Sequence, residues 1–224
     1  MKRSYIRKVN PKTVFFTVRN FLKNYSNHPV LDIHALDISS GVHWFEGANG
    51  SGKSTFFRTI AGIIPFDGVM KLCSTENNKQ NAVKYRRLVN YAYAEPKYPD
   101  YLSGADIIEF VNKARGSNGK QVDELIGRFR INDFYENAIH TYSSGMLKKI
   151  SLITAFLGEP KLILLDEPFT TIDSQTADLV YELINESRTN DISFFIASHQ
   201  PLDNTKVKTD NRFKVAEGKI ALTK

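Results

Sequence analysis

Apolar and polar positions follow two simple patterns over the first fifty residues. The run 14–18 (VFFTV) is rich in β-branched and aromatic residues, and apolar residues tend to alternate with polar ones along 30–38 (VLDIHALDI). Both patterns predict strands, and the run 42–46 (VHWFE) predicts a third. A polar turn separates the first two, so we expect a small antiparallel β-subdomain ahead of the main sheet.

Helical spacing replaces these patterns in the middle of the chain. Apolar residues recur every three or four positions in 107–114, in 122–129 and from 147 to 157, and a shorter helix is predicted around 134–139. These segments lie between predicted strands. The stretch from approximately 95 to 157 is therefore predicted to be a helical insertion.

Two short apolar runs predict buried parallel strands in the last third of the chain. They are 162–165 (LILL) and 192–197 (ISFFIA), with a helical pattern over 176–187 between them and a terminal hairpin turning at Glu217 and Gly218. The whole pattern predicts an α/β fold with a mixed sheet core, an N-terminal antiparallel β-subdomain and an α-helical insertion. We expect one domain covering 1–224.

The segment GANGSGKST lies between the third predicted strand and a predicted helix. It fits the phosphate-binding pattern G-x-x-x-x-G-K-[ST], in which glycines let backbone N–H groups point at phosphate oxygens and the helix N-terminus adds positive potential. Lys53 is placed to reach the β- and γ-phosphates, and Ser54 to offer its hydroxyl to Mg²⁺. The predicted nucleotide-binding residues here are Gly47, Asn49, Gly50, Ser51, Gly52, Lys53, Ser54 and Thr55.

Other candidate residues are ambiguous when taken singly. Tyr25, 28 residues before Lys53, could stack on adenine or could be a partly exposed turn tyrosine. Asp166 and Glu167 end one buried strand, and His199 follows the next. Each of these three could be a functional residue or a structural one. The YSSG segment at 142–145 begins a helix, where serine is also a good cap.

Net charge, cysteine count and the length of the apolar runs exclude several classes of protein. The chain has 224 residues, a net charge of +6 and one cysteine, Cys73, so an internal disulfide is excluded. Its basic residues are spread out, which favours a solvated surface over weak attraction to an anionic membrane, and no nucleic-acid partner is expected. It has no apolar run long enough to span a bilayer and no secretory signal, so we expect a cytoplasmic protein.

Taken in order, GANGSGKST, YSSGM, LILLDEP, TTID and ASH resemble the nucleotide-binding domains of ATP-binding cassette (ABC) proteins, which are P-loop NTPases. The resemblance implies ATP and Mg²⁺ as cofactors. It implies that Asp166 helps to hold Mg²⁺, that Glu167 is the general base, and that His199 senses the γ-phosphate. Tyr25 would be the aromatic residue that stacks on adenine.

The resemblance also implies a composite active site. Ser143 and Gly145 of one chain would cap the γ-phosphate bound by another, and Asp173 would act across the same interface. The expected assembly is a homodimer, or a heterodimer with a related cassette, that forms when ATP binds.

Two departures from the family pattern bear on the site. Ser144 and Met146 replace a glycine and a glutamine of the usual signature. The glutamine expected after the strand near residue 90 aligns with Ala94, and Glu95 could serve as a metal ligand after a one-residue shift.

The expected function is ATP binding and hydrolysis that powers transport through a separate integral membrane permease, at the inner face of the cell membrane. The permease would dock on the helical insertion, near Tyr98 and Tyr101, and the motifs are most similar to exporter-type cassettes. The alternative is a soluble ABC ATPase of a cytosolic assembly such as an iron–sulfur scaffold complex. A P-loop kinase is not expected, because it would leave YSSG and His199 without a role. DNA-repair and structural-maintenance relatives need long coiled coils, and translation-factor relatives need two cassettes in one chain, so neither is expected at 224 residues.

Overall fold

A computed structural model describes residues 14–26 and 28–223, which form two sheets. The smaller sheet is antiparallel, in the order β2-β1-β4-β5. Its strands are β1 (Val14–Tyr25), β2 (His28–Ser39), β4 (Asp67–Leu72) and β5 (Thr75–Glu76). This sheet is the predicted N-terminal β-subdomain, to which β4 and β5 add a second pair of strands.

The larger sheet has six strands in the order β10-β9-β3-β8-β7-β6. All neighbours are parallel except the terminal hairpin of β9 and β10. The strands are β3 (Val42–Glu46), β6 (Val89–Ala92), β7 (Leu162–Asp166), β8 (Ser193–Ser198), β9 (Asn211–Ala216) and β10 (Lys219–Leu222). Because β3, β7 and β8 are parallel neighbours, their carboxyl ends meet at one edge, where ligands bind in open α/β sheets.

Six α-helices accompany the sheets in the part of the chain that the structure describes. Three of them, α3 to α5, lie between β6 and β7 in the chain and form the predicted helical insertion, and none of the six is long and apolar enough to cross a bilayer. The helices are α1 (Lys53–Ile60), α2 (Ala82–Arg87), α3 (Gly104–Arg115), α4 (Gly119–Phe129), α5 (Ser144–Phe156) and α6 (Ser174–Arg188).

The two faces of the larger sheet are buried in separate cores. Phe45 points into the core shared with the smaller sheet, where its ring stacks on Phe213 with centroids 4.9 Å apart. Trp44, the preceding residue, points to the opposite core beneath α3 to α6. Strands β7 and β8 are buried along their whole length, which explains their continuous apolar sequence. Each large apolar side chain buried here contributes about 1.5–3 kcal/mol.

The predicted α/β class, β-subdomain and helical insertion are confirmed, but two local predictions are wrong and one helix was not predicted. No α-helix covers 134–139; residues 134–137 form turns and a bend, Ala138 makes an isolated bridge with Ser103, and a 3₁₀ turn runs over Ile139–Thr141. The N–H of Ile139 donates to the carbonyl of Leu102, so tertiary pairing uses the backbone that a helix would need. Tyr25 ends β1, paired with His28, rather than lying in a turn, and α2 was not predicted.

Candidate functional site

The phosphate-binding loop, residues 47–55, leaves the carboxyl end of β3 and runs into α1. Gly52 is the residue before the helix and has φ +103°, a left-handed conformation in which glycine carries no Cβ penalty. Its carbonyl accepts the first helical bond, from the N–H of Phe56. No side chain caps α1, so its first N–H groups remain available to an anion.

Lys53 points back into this loop. The side chain is only 5% exposed, and its Nζ donates to the carbonyl oxygens of Gly47 at 2.7 Å and Ala48 at 3.1 Å. The same Nζ lies 3.5 Å from Oε1 of Glu167. A buried cation is therefore held at the floor of the loop by two neutral acceptors and one carboxylate.

A cavity of about 670 Å³ opens over the loop. It brings together most of the predicted site residues, including the base-stacking candidate and the catalytic candidates. These residues come from β1, from the phosphate-binding loop, and from the ends of β6, β7 and β8. Its lining includes Tyr25, Asn49, Gly50, Ser51, Gly52, Lys53, Ser54, Thr55, Ala94, Glu95, Glu167 and His199. Tyr25 lines this cavity and is 48% exposed, and Nζ of Lys23 lies over its ring, 5.0 Å from the centroid.

Asp166 ends β7 as a fully buried carboxylate. Burial raises its pKa, opposed by the nearby Ser54 hydroxyl. Oδ2 accepts a 2.9 Å bond from the hydroxyl of Tyr91, whereas Oδ1 is buried with no hydrogen-bond partner among the described residues. Such an orphaned oxygen beside a serine hydroxyl fits Mg²⁺, which takes one or two carboxylates plus phosphate and water oxygens. Within the described residues no cluster of three or more metal-binding side chains occurs, so a closed protein cage is absent.

Glu167 follows in a strained conformation that aims its side chain into the cavity. Its φ is +45°, unusual for a residue with a Cβ, and its N–H donates to the carbonyl of Ala197 at 2.8 Å. A backbone of this kind costs about 1–3 kcal/mol and persists only where its surroundings impose it. Oε2 of Glu167 lies 2.9 Å from Nδ1 of His199, which donates this bond when Nδ1 carries the proton. Lys53, Glu167 and His199 thus form one contiguous polar cluster.

The structure does not bring Ser143, Gly145 or Asp173 into this cavity. Ser143 caps α5 by accepting the N–H of Met146 at 3.2 Å, and Asp173 caps α6 by accepting the N–H of Thr176 at 2.7 Å. Helix capping alone therefore gives Ser143 and Asp173 a structural role within one chain. Ser143 and Ser144 are nevertheless exposed to solvent at the start of α5.

Lys148 and Tyr91 are neighbours of the site that the motifs did not identify. Lys148 is fully buried, and its Nζ donates to the carbonyls of Tyr93 (2.8 Å), Ala94 (3.2 Å) and Asp166 (2.9 Å). Burial lowers its pKa to about 8. Leu152 lies four residues on and is also buried, so Lys148 lies on a buried face of α5, although the predicted apolar spacing from 147 to 157 did not identify it.

Comparison with known proteins agrees with this geometry. A family model described as "ABC transporter" matches residues 33–170, more than half of the chain. The chain is 28% identical over 165 residues to the Bacillus subtilis uncharacterized ABC transporter ATP-binding protein YhcH, covering 72% of this chain and 53% of that protein. It is 31% identical over 156 residues to the Burkholderia cenocepacia aliphatic sulfonates import ATP-binding protein SsuB 2, covering 69% and 56%. The matched stretch therefore spans about half the length of these two relatives.

Solved structures show the same fold. An ATP-binding subunit of an ABC transporter superposes with a TM-score of 0.82 at 22% identity, covering 93% of this chain and 89% of that one. CbiO1 from Clostridium perfringens, described as part of the ABC transporter complex cbiONQ, superposes with a TM-score of 0.70 at 23% identity, covering 94% and 88%. The chain belongs to the ABC transporter family, and its fold is that of the ABC ATPase cassettes.

Proposed function

We propose that this chain binds and hydrolyses ATP, dimerises around it, and powers transport through a separate membrane protein. The observation that carries the proposal is the cluster of Lys53, Glu167 and His199 at the phosphate-binding loop, beside the buried carboxylate of Asp166. We treat residues 1–224 as one nucleotide-binding domain with the helical insertion inside it.

Nucleotide binding follows from the loop geometry. The N–H groups at the start of α1 face the phosphates, and Lys53 exchanges the carbonyls of Gly47 and Ala48 for phosphate oxygens. Ser54 and Asp166 would hold Mg²⁺, and Glu95, which lines the same cavity, would be a further ligand. When bound, Mg²⁺ neutralises charge on the β- and γ-phosphates. Tyr25 stacks on the base.

Hydrolysis then depends on two residues that are already in contact. Glu167 accepts the proton of the attacking water, and its fixed backbone keeps the carboxylate inside the cavity, between Lys53 and His199. His199 holds Glu167 through Nδ1, and its other ring nitrogen would bond the γ-phosphate. Lys53 stabilises the negative charge that spreads over the γ-phosphate oxygens.

The second half of the site comes from another chain. Ser143, Gly145 and Asp173 lie outside the cavity of their own chain, while the exposed start of α5 offers N–H groups and a helix dipole to an anion. Two chains, identical or related, that face each other head to tail place this end of α5 over the partner's nucleotide. ATP then joins the two protomers, and its hydrolysis releases them.

A groove of about 380 Å³ between α3 and the end of β6 is the proposed docking site for the permease. Phe110 is 73% exposed at its rim, Ile63 is half-exposed, and Arg86 and Arg115 are its charged lining residues. Tyr98 lines the same groove, and Tyr101 nearby is almost fully exposed. The protein would then lie peripherally at the inner face of the membrane. Its relatives include an importer, so the similarity does not favour export over import.

Two measurements test the proposal. Lys53→Ala should abolish tight ATP binding in calorimetry, whereas Lys161→Ala, which removes an exposed lysine away from the cavity, should not. Affinity capture from solubilised membranes should recover an integral membrane protein with this chain. Equal ATP affinity in both variants would refute the nucleotide site, and recovery only with a soluble complex would favour the cytosolic assembly over transport.

A further inference from the structure

Trp44 makes a side-chain hydrogen bond next to the predicted catalytic histidine. Its indole Nε1–H donates to Oγ of Ser198 at 2.9 Å, and that hydroxyl donates in turn to the carbonyl of Gln200 at 2.5 Å. Ser198 and Gln200 are the residues on either side of His199. The two bonds therefore bracket the segment in which β8 ends and His199 turns towards Glu167.

The indole ring is itself held in place. β3 lies between β8 and β9, with Trp44 opposite Ile196 on one side and Arg212 on the other. The guanidinium of Arg212 lies 4.3 Å from the ring centroid and also pairs with Glu46, the residue before Gly47. One set of contacts thus supports both the entry to the phosphate-binding loop and the end of β8.

Burial protects these two hydrogen bonds from competition with water. Trp44 is 5% exposed and Ser198 is 4% exposed, so water cannot easily replace either partner. The Ser198 hydroxyl has one proton, and donating it to Gln200 leaves its lone pairs for the indole N–H. An apolar side chain at position 44 could fill the space but could not orient this hydroxyl.

We propose that Trp44 is a positioning residue for His199, acting through Ser198. The bonds fix the backbone of 198–200 so that Nδ1 of His199 stays within reach of the Glu167 carboxylate. This inference rests on the proposed hydrolysis, because it assigns Trp44 a part in placing the catalytic pair. A purely structural role would lower stability without a selective effect on the chemical step.

Strand β8 supplies a matched control. Ser193, at its other end, is also buried, and its hydroxyl accepts a hydrogen bond of 3.1 Å from the N–H of Gly41. Ser193→Ala and Ser198→Ala each remove one buried hydroxyl from the same strand. Both should lower the melting temperature, but only Ser198→Ala should reduce kcat for ATP hydrolysis, by about tenfold, with the KM for ATP unchanged. Trp44→Phe, which keeps an aromatic ring but loses the donor, should behave like Ser198→Ala.

A double-mutant cycle separates positioning from general damage. In a His199→Ala background, Ser198→Ala should cause no further loss of kcat, because the residue through which it acts is gone. Trp44 is the single tryptophan, so its fluorescence reports directly on the hydrogen bond. Ser198→Ala should shift the emission maximum and Ser193→Ala should not.

The inference is overturned if the two serine variants lose equal kcat, if Ser198→Ala and His199→Ala are additive, or if the emission of Trp44 ignores Ser198→Ala. The failure of the proposed function would look different. In that case Glu167→Gln and His199→Ala would themselves leave phosphate release unchanged.

Discussion

The Nζ of Lys148 lies 2.9 Å from the main-chain carbonyl oxygen of Asp166. Lys148 belongs to α5, which begins within the YSSG segment at 142–145, and Asp166 ends β7 at the proposed metal site. The same ammonium group also donates to Tyr93 and Ala94 at the end of β6. A single buried side chain therefore joins α5 to the ends of β6 and β7, which border the nucleotide cavity.

Lys148→Met should destabilise the protein strongly. The substitution keeps the length of the side chain but leaves three carbonyl groups without their donor, and each unsatisfied buried group costs about 1–3 kcal/mol. The midpoint of urea denaturation should therefore fall markedly. Lys149→Met is the matched control, since the Lys149 ammonium lies 3.3 Å from one carbonyl and 3.6 Å from Asp173 at a more accessible position. Equal destabilisation by the two variants would show that the buried hydrogen bonds of Lys148 contribute no more to stability than the contacts of Lys149.

Tyr91→Phe should weaken Mg²⁺ binding. It removes the hydroxyl that orients Oδ2 of Asp166, and loss of such a partner typically costs 10- to 100-fold in metal affinity. Titration of Mg²⁺ in the presence of ATP, followed by calorimetry, should show a higher half-saturation concentration, with metal-free ATP binding unchanged. Tyr93→Phe, on the adjacent ring 4.5 Å away, is the control and should leave the Mg²⁺ dependence as it is. An unchanged Mg²⁺ titration for Tyr91→Phe would argue that Asp166 is not a ligand.

Tyr25→Ala should reduce the affinity for ATP and GTP alike. A stacking ring recognises the flat face of a base, at about 1–3 kcal/mol per base, and discriminates little between bases. Tyr25→Trp keeps an aromatic face and should be tolerated. Wild-type affinity in the alanine variant would mean that Tyr25 is only an exposed residue at the end of β1.

Stability should depend on pH through His43. Burial lowers the pKa of His43 from 6.5 to about 4. The unfolded chain therefore binds more protons between these two values, and the free energy of unfolding falls as pH drops from about 6.5 to about 4. The loss attributable to His43 is up to about 3 kcal/mol.

His43→Gln should flatten that part of the profile of melting temperature against pH. Nε2 of His43 lies 2.9 Å from the carbonyl of Ser39, and Nδ1 lies 3.1 Å from the Asn211 amide nitrogen, as expected for a neutral ring. An identical slope in wild type and variant between pH 6.5 and 4 would assign the acid sensitivity to other groups.

The sequence predicted the parts of the site that are local in the chain. The phosphate-binding loop and the two carboxylates after β7 depend on a strand, a turn and a helix in immediate succession, so short patterns suffice. The bond between Trp44 and Ser198 joins residues 154 positions apart, and no local pattern encodes it. The incorrect prediction of a helix at 134–139 has the same cause, because the N–H of Ile139 donates to the carbonyl of Leu102 and not within a helical turn.

Gly145 illustrates a second limit. A Cβ at this position would lie 2.7 Å from the carbonyl oxygen of Thr171 in the same chain. The glycine is therefore required by packing inside one protomer, whatever it does across an interface. A bulky substitution there would disturb the chain itself and would not report on dimerisation.

Ser144 gives a cleaner probe of the interface. It is exposed and is the first residue of α5, where a carboxylate interacts favourably with the helix dipole of its own chain. In a composite site, however, Ser144→Glu would bring that negative charge towards the partner's γ-phosphate. The variant should fold at least as well as wild type and should fail to form the ATP-dependent dimer.

The most direct test of the account is the oligomeric state of Glu167→Gln with saturating Mg-ATP. The substitution keeps the shape of the side chain but removes the proton acceptor, so hydrolysis should fall by roughly two to four orders of magnitude while binding survives. Size-exclusion chromatography with light scattering should show a dimer that requires ATP, that wild type does not accumulate, and that Ser144→Glu abolishes. A Glu167→Gln protein that stays monomeric with saturating Mg-ATP, alone and with the membrane partner, or a dimer that ignores Ser144→Glu, would contradict the composite site.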